Sequence, residues 1–156
     1  MHSASLVRIN EFLNCSDTLL TIIHCVQILY HVCECLMDLH KEGFVHRDLK
    51  PGNIMWLPSQ NRWTLIDFGC VAKIDSDARM GFSLMYAAPE VVLGVFRERR
   101  ETCKASTALG AWSVGVLAVE LFTGRPALRL IEGREKARPH LAMPHIGLSL
   151  PDSATN

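Results

Sequence analysis

From Thr21 to His40 the positions Ile22, Val26, Leu29, Cys33, Leu36 and His40 follow one another in steps of four and three. That period sets them along one side of an α-helix and predicts a single long helix with this stripe buried. Ser16 and Asp17 stand where the helix start would be capped, and Gly43 is a natural terminator. His40, on the stripe, reads as a packed, hydrogen-bonded histidine rather than a ligand. The wider apolar run from Leu19 to Met37 has the length of a membrane span, but His24, Gln27, His31 and Glu34 interrupt it at every third or fourth residue. The expectation is an amphipathic helix and no membrane partner.

Further along, Ile54-Met55-Trp56-Leu57 and Trp63-Thr64-Leu65-Ile66 read as strands, and "PSQNR" between them has the composition of a turn, which predicts a hairpin. Residues 70–87 are short of aliphatics and read as a loop through Asp75, Ser76, Asp77 and Gly81. Pro89 suits the first turn of a short helix, where Glu90 would meet the positive helix N-terminus. "RERRE", Arg97 to Glu101, mixes signs and reads as a solvated face. "AWSVGVLAVELFTGRP" is apolar nearly all round and stops at Gly124 and Pro126, so it predicts a helix buried on most sides.

Composition narrows the class. The chain has 156 residues, 49% hydrophobic and 21% charged, which is ordinary for a folded globular domain. Lys plus Arg and Asp plus Glu stand at 16 each, so no global basic footprint for nucleic acid exists. The six cysteines show no CxxC spacing, and Cys33 and Cys35 on one helix point in different directions. Reduced thiols are preferred to a zinc site built from Cys33, Cys35, His24 and His31. Met1 to Asn10 shows no secretory signal, so the chain is expected to be intracellular, in the cytoplasm.

The chemistry-bearing residues cluster in order. His46-Arg47-Asp48-Leu49-Lys50-Pro51-Gly52-Asn53 comes first, then Asp67-Phe68-Gly69, then Ala88-Pro89-Glu90. Three motifs in this order and spacing resemble the catalytic loop, metal-binding motif and activation-segment end of the protein kinase superfamily. The resemblance runs over roughly residues 16–126. It implies a mainly α fold with a small β-hairpin, the kinase-like C-lobe of what is an α+β fold in the full family. Residues 1–15 would be a lead-in, 16–126 a partial C-lobe, and 127–156 a truncated, poorly ordered C-terminal segment.

The same resemblance implies roles. Asp48 matches the base that accepts the substrate hydroxyl proton, and Lys50 the cation that neutralises the transferring phosphate. Asn53 and Asp67 match the oxygen ligands of Mg2+, which prefers hard donors. Ile54 and Met55 would floor an adenine, making ATP the second substrate and a protein Ser or Thr hydroxyl the acceptor. Lysine at position 50 and Ser83 near the base favour the serine/threonine class over the tyrosine class. Arg47 would pair with phospho-Ser76, or with Asp75 and Asp77, to regulate the segment. His46, Phe68, Gly69 and Glu90 match structural positions of the three motifs.

Departures from the family pattern are equally legible. The first glycine is Gly43 and the only lysine ahead of Asp48 is Lys41, so no glycine-rich loop or strand lysine precedes the catalytic loop. The N-lobe is therefore expected to be absent and the chain alone inactive. Glu90 would be a buried carboxylate deprived of the arginine that pairs with it in the family. The aspartate that opens the family's "DxWSxG" helix is replaced by Gly110, counting back from Trp112, or by Ser106, counting forward from "TCKAS". The alternative expectation is a non-catalytic, pseudokinase-like binding or scaffold module, docked on a partner or on a separate N-lobe.

Overall fold

The computed structural model describes residues 7–9 and 22–127. In chain order these form β1 (Val7–Arg8), α1 (Ile22–Lys41), β2 (Phe44–Val45), β3 (Ile54–Leu57), β4 (Arg62–Leu65), β5 (Ala72–Lys73), β6 (Asp77–Arg79), α2 (Pro89–Phe96), β7 (Thr102–Lys104) and α3 (Thr107–Thr123). The cap expected at Ser16 and Asp17, the lead-in over most of 1–15 and nearly all of 127–156 lie outside the described residues.

The long helix forms where its period predicts, and Gly43, at φ +84°, turns the chain out of it. Its buried face shares Leu36 with the expected stripe, and Leu29 packs beside it, but the N-terminal half is rotated. Cys25, Ile28, Val32 and Leu36 are enclosed, while Ile22 and Val26 of the expected stripe are 72% and 52% exposed. The helix carries apolar side chains on almost every side, so the period alone gives several equivalent stripes. Packing on α3 and β4 chooses among them. His40 is half-buried, but its Nε2 is enclosed without a hydrogen-bond partner, which corrects the expectation of a bonded histidine.

Helix α3 runs antiparallel to α1. The Cys25 thiol donates to Leu121 O at 3.4 Å at one end, and Gly110 lies against Leu36 and His40 at the other. Leu109, Ser113, Val116, Leu117 and Leu121 face inward. The opposite side is not covered by any described residue: Trp112, Val119 and Phe122 are 37%, 47% and 51% exposed. Burial on most sides, expected from composition, is thus corrected to burial on one.

The hairpin pairs Ile54 with Leu65 and Leu57 with Arg62 in antiparallel register. Its connection is a 3-10 turn at Pro58–Gln60 followed by Asn61 in the left-handed region. β1 adds a third strand beside β3, and Ile9 drops fully into the core with Ile28, Ile54 and Leu117. Each such side chain taken wholly from water contributes about 1.5–3 kcal/mol. Residues 70–87, expected as loop, contain β5 and β6, which pair antiparallel with β2 and β7. Strands of two or three residues carry no hydrophobic alternation, so their pairing is invisible in the sequence. α2 opens with Pro89 in its first turn, as expected.

Candidate active site

The loop after β2 is held by two enclosed side chains, His46 and Leu49, at 1% and 2% exposure. A 3-10 turn, Pro51–Asn53, then feeds the chain into β3, with proline presetting its φ. The Ile66 amide donates to Asn53 O at 2.9 Å. That closure sets Asp67, the next residue, beside Asn53 although they lie on different limbs of the hairpin.

His46 is neutral by construction. Its Nε2 bonds Ile66 O at 3.2 Å, and its Nδ1 accepts from the Asp48 amide at 3.4 Å. Together these require the proton on Nε2. Burial pushes the imidazole pKa below its usual value, and the bond to Ile66 opposes this only in part. The ring also packs against Phe68, centroid to centroid 5.4 Å.

Asp48 sits at the centre of a polar cluster. Lys50 Nζ donates to Asp48 Oδ2 at 2.7 Å and to Ser83 Oγ at 2.8 Å. Asn53 Nδ2 donates to Asp48 O at 2.8 Å and to Oδ2 at 3.1 Å. The other carboxylate oxygen, Oδ1, is enclosed and has no partner. Burial alone would raise the Asp48 pKa, but Lys50, Ser83 and Asn53 outweigh it and hold the carboxyl below the usual value. The group is thereby held as an ionised carboxylate near neutral pH.

Asp67 is exposed and takes φ +61°, with Oδ1 accepting from the Gly69 amide at 3.3 Å. Arg47 takes φ +70°. A left-handed conformation costs a residue with a Cβ roughly 1–2 kcal/mol. The two loops that meet at the site each hold one such residue, a form of strain common where side chains are aimed for function. Phe68 is 55% exposed. A side chain at Gly69 would press within 3.2 Å of Asp67 Oδ1, so glycine permits the turn.

Several expected placements change. Arg47 donates to Cys70 O at 3.3 Å, to Arg79 O, and to Cys103 Sγ at 3.5 Å, with no carboxylate partner among the described residues. Ser76 Oγ donates to Lys73 O at 2.7 Å, and Asp75 pairs with Lys104 at 3.4 Å. Ile54 has no exposed surface, because β3 turns it into the core, so only Met55 of that pair keeps a face open to a ligand. Glu90 is exposed at the start of α2 rather than buried, so water solvates it and the penalty expected for an unpaired carboxylate does not arise. Gly110 falls inside α3, while Ser106 is its N-cap residue.

Sequence reasoning passed over a second cluster. Tyr86 OH donates to Glu120 Oε2, and Ser113 Oγ donates to Tyr86 O at 2.8 Å. Burial first, then the Glu120 carboxylate, push the Tyr86 phenol well above its usual pKa. Helix α3 thereby grips the 3-10 turn Leu84–Tyr86 at two points, one residue beyond Ser83. The partners lie 27 and 34 positions from Tyr86, which no local pattern relates.

Comparison with known proteins agrees with this geometry. The family model described as "Protein kinase domain" matches residues 2–149. The chain is 33% identical over 128 residues to the serine/threonine-protein kinase Kist of Mus musculus, covering 79% of this chain and 30% of that one. It is 30% identical over 123 residues to glycogen synthase kinase 1 of Pyricularia oryzae, covering 76% of this chain and 29% of the other. The chain thus spans about a third or less of the length of these curated relatives. Among solved structures, a chain of the yeast RNA Pol II CTD kinase CTDK-1 complex superposes with a TM-score of 0.64 at 25% identity, covering 77% of this chain and 38% of that one. Matched along nearly its whole length, the chain belongs to the protein kinase domain family.

Proposed function

We propose that this chain carries the phosphoryl-transfer half of a serine/threonine protein kinase site. One observation carries the reading: the ionised Asp48 is bridged through Lys50 to Ser83 and is held by Asn53 at the same carboxylate. An incoming Ser or Thr hydroxyl passes its proton to the Asp48 carboxylate as its oxygen bonds the terminal phosphorus of ATP. The bond to the ADP oxygen breaks, and ADP leaves with that electron pair. The Lys50 ammonium lies beside the reacting carboxylate and offsets charge on the transferring group.

The donor chemistry at Asn53 and Asp67 fits Mg2+. Both Nδ2 bonds of Asn53 go to Asp48, which leaves its amide oxygen for a cation, and Asp67 offers an exposed carboxylate. When bound, the ion would neutralise phosphate charge. Met55 offers the apolar face for adenine. Among these 156 residues the first glycine is Gly43, so they supply no glycine-rich phosphate cover of their own ahead of the site, and taken alone they would turn over poorly. A second reading, a kinase-like binding module, is favoured by the exposed Ile22, Ile23, Trp112 and Phe122.

The test is a chimaera in which this chain replaces the matched segment of mouse Kist. We expect isotope transfer from ATP to Ser and Thr, not Tyr, in a mixed peptide set. Asp48→Asn should lower it about a thousandfold or more, within the range for loss of a general base with its charge. Equal transfer by Asp48→Asn in a folded chimaera would overturn the proposal.

A further inference from the structure

We infer that Arg47 holds the segment from Cys70 to Arg79 in place without any phosphate, so that the order of this segment is set by neutral acceptors and not by modification. The inference rests on the kinase reading only for its consequence; the contact itself is independent of it. The guanidinium spans the two limbs of the segment. One amino group donates to Cys70 O, directly after the Phe68–Gly69 turn, and the other to Arg79 O at the end of β6. The second also approaches Cys103 Sγ on β7, the strand paired with β6. A planar fork is suited to reach two carbonyls from two separate nitrogens, whereas the single ammonium of lysine would have to reach both from one atom.

The acidic and phosphorylatable residues of the segment are engaged elsewhere. Asp75 and Asp77 are exposed, Asp75 pairs with Lys104, and Ser76 Oγ is bonded back to Lys73 O. Backbone pairing supports the same arrangement: Asp75 N donates to Ala105 O at 2.8 Å and Ala105 N to Ser76 O at 2.9 Å. Arg47 Nε is enclosed without a protein partner, and the adjoining cavity, lined by Arg47, Phe82, Cys103 and Ser113, is about 10 Å³, close to the space of one water. The Arg47 backbone takes φ +70°, and its side chain reaches across the segment to both carbonyls. Arg47 is accordingly a positioning residue: it acts on Asp67 and Ser83 through the backbone that joins them.

Hydrogen–deuterium exchange on the purified 156-residue chain tests this without requiring catalysis. In Arg47→Lys and Arg47→Ala, amides of residues 70–80 should exchange at least about tenfold faster, as expected for losing a charge-assisted bond. Amides of the β3–β4 hairpin should keep their rates, which separates a local release from unfolding. Ser76→Ala, Ser76→Glu and the double variant Asp75→Asn, Asp77→Asn should all match the parent. Unchanged exchange in both Arg47 variants would overturn the inference, and so would added protection of 70–80 in Ser76→Glu. If Arg47→Ala does not fold, Arg47→Lys with the same readout decides alone. Failure of the peptide-transfer experiment above would leave these rates untouched, so the two readings fail separately.

Discussion

Replacing His46 by phenylalanine isolates what an enclosed imidazole does beneath the catalytic loop. A flat ring is kept against Phe68 but is bulkier at an enclosed site, so overpacking adds to the cost of the lost hydrogen bonds. Ile66 O loses its donor at 3.2 Å, and the Asp48 amide loses an acceptor already long at 3.4 Å. An enclosed carbonyl left unpaired costs about 1–3 kcal/mol, and the longer contact adds little. His46→Phe should therefore destabilise the fold by about 2–6 kcal/mol near neutral pH, hydrogen-bond loss and overpacking together. The pH dependence is the sharper readout. Burial lowers the folded pKa of His46 beneath its ordinary 6.5, so the folded chain binds fewer protons than the unfolded chain below that value. Its contribution is complete above 6.5 and is lost as pH falls from there towards the folded pKa. Urea unfolding followed by tryptophan fluorescence at about pH 7.5 and about pH 5.5 measures the slope. His40, whose pKa burial also lowers, adds a loss of the same sign, so the variant should flatten the slope without abolishing it. A parent protein that gains stability on acidification, or a His46→Phe variant with the parental slope, would refute the reasoning.

Ile28→Ala, at a position with no exposed surface, should cost about 2–5 kcal/mol in urea unfolding. Ile22→Ala, at a position 72% exposed, should stay within about 0.5 kcal/mol, and the reverse order would restore the stripe expected from periodicity. Ser113→Ala removes the donor to Tyr86 O and should cost about 1 kcal/mol, with faster amide exchange confined to residues 84–86. Gly110→Ala should stabilise α3 by about 0.5–1 kcal/mol in thermal unfolding, because an added methyl meets its nearest neighbours only at 3.9 Å. Gly124→Ala should cost about 1 kcal/mol by the same measure, since its φ of +65° disfavours a side chain.

Motif order carried the sequence reading furthest. His46 to Asn53 and Asp67 to Gly69 lie close in the chain and on either side of a short hairpin, so their meeting follows from one predicted turn. The buried face of α1 was not legible, because Ile22, Cys25, Val26, Ile28 and Leu29 are all apolar and only packing on α3 and β4 decides between them. The partners of Arg47 were missed for a related reason. Two are backbone carbonyls, which every residue possesses, and the third is a thiol 56 positions away. A search for charge complementarity pointed to Ser76, Asp75 and Asp77 instead. Ile54 and Met55 were grouped as one surface, although strand alternation sends neighbours to opposite faces.

The latch between Cys25 and Leu121 sets an order of events for the newborn chain. These residues are 96 positions apart, and the core under the catalytic loop is shut only when both are present. While the ribosome is still adding α3, the apolar side of α1 and the hairpin have been made but lack the helix that covers them. Contacts this distant must be reached by loop closure before they return any free energy, which slows folding and lengthens the exposure. The interval before Leu121 emerges is therefore when the chain depends most on chaperones, and when premature termination would leave a sticky, unclosed product.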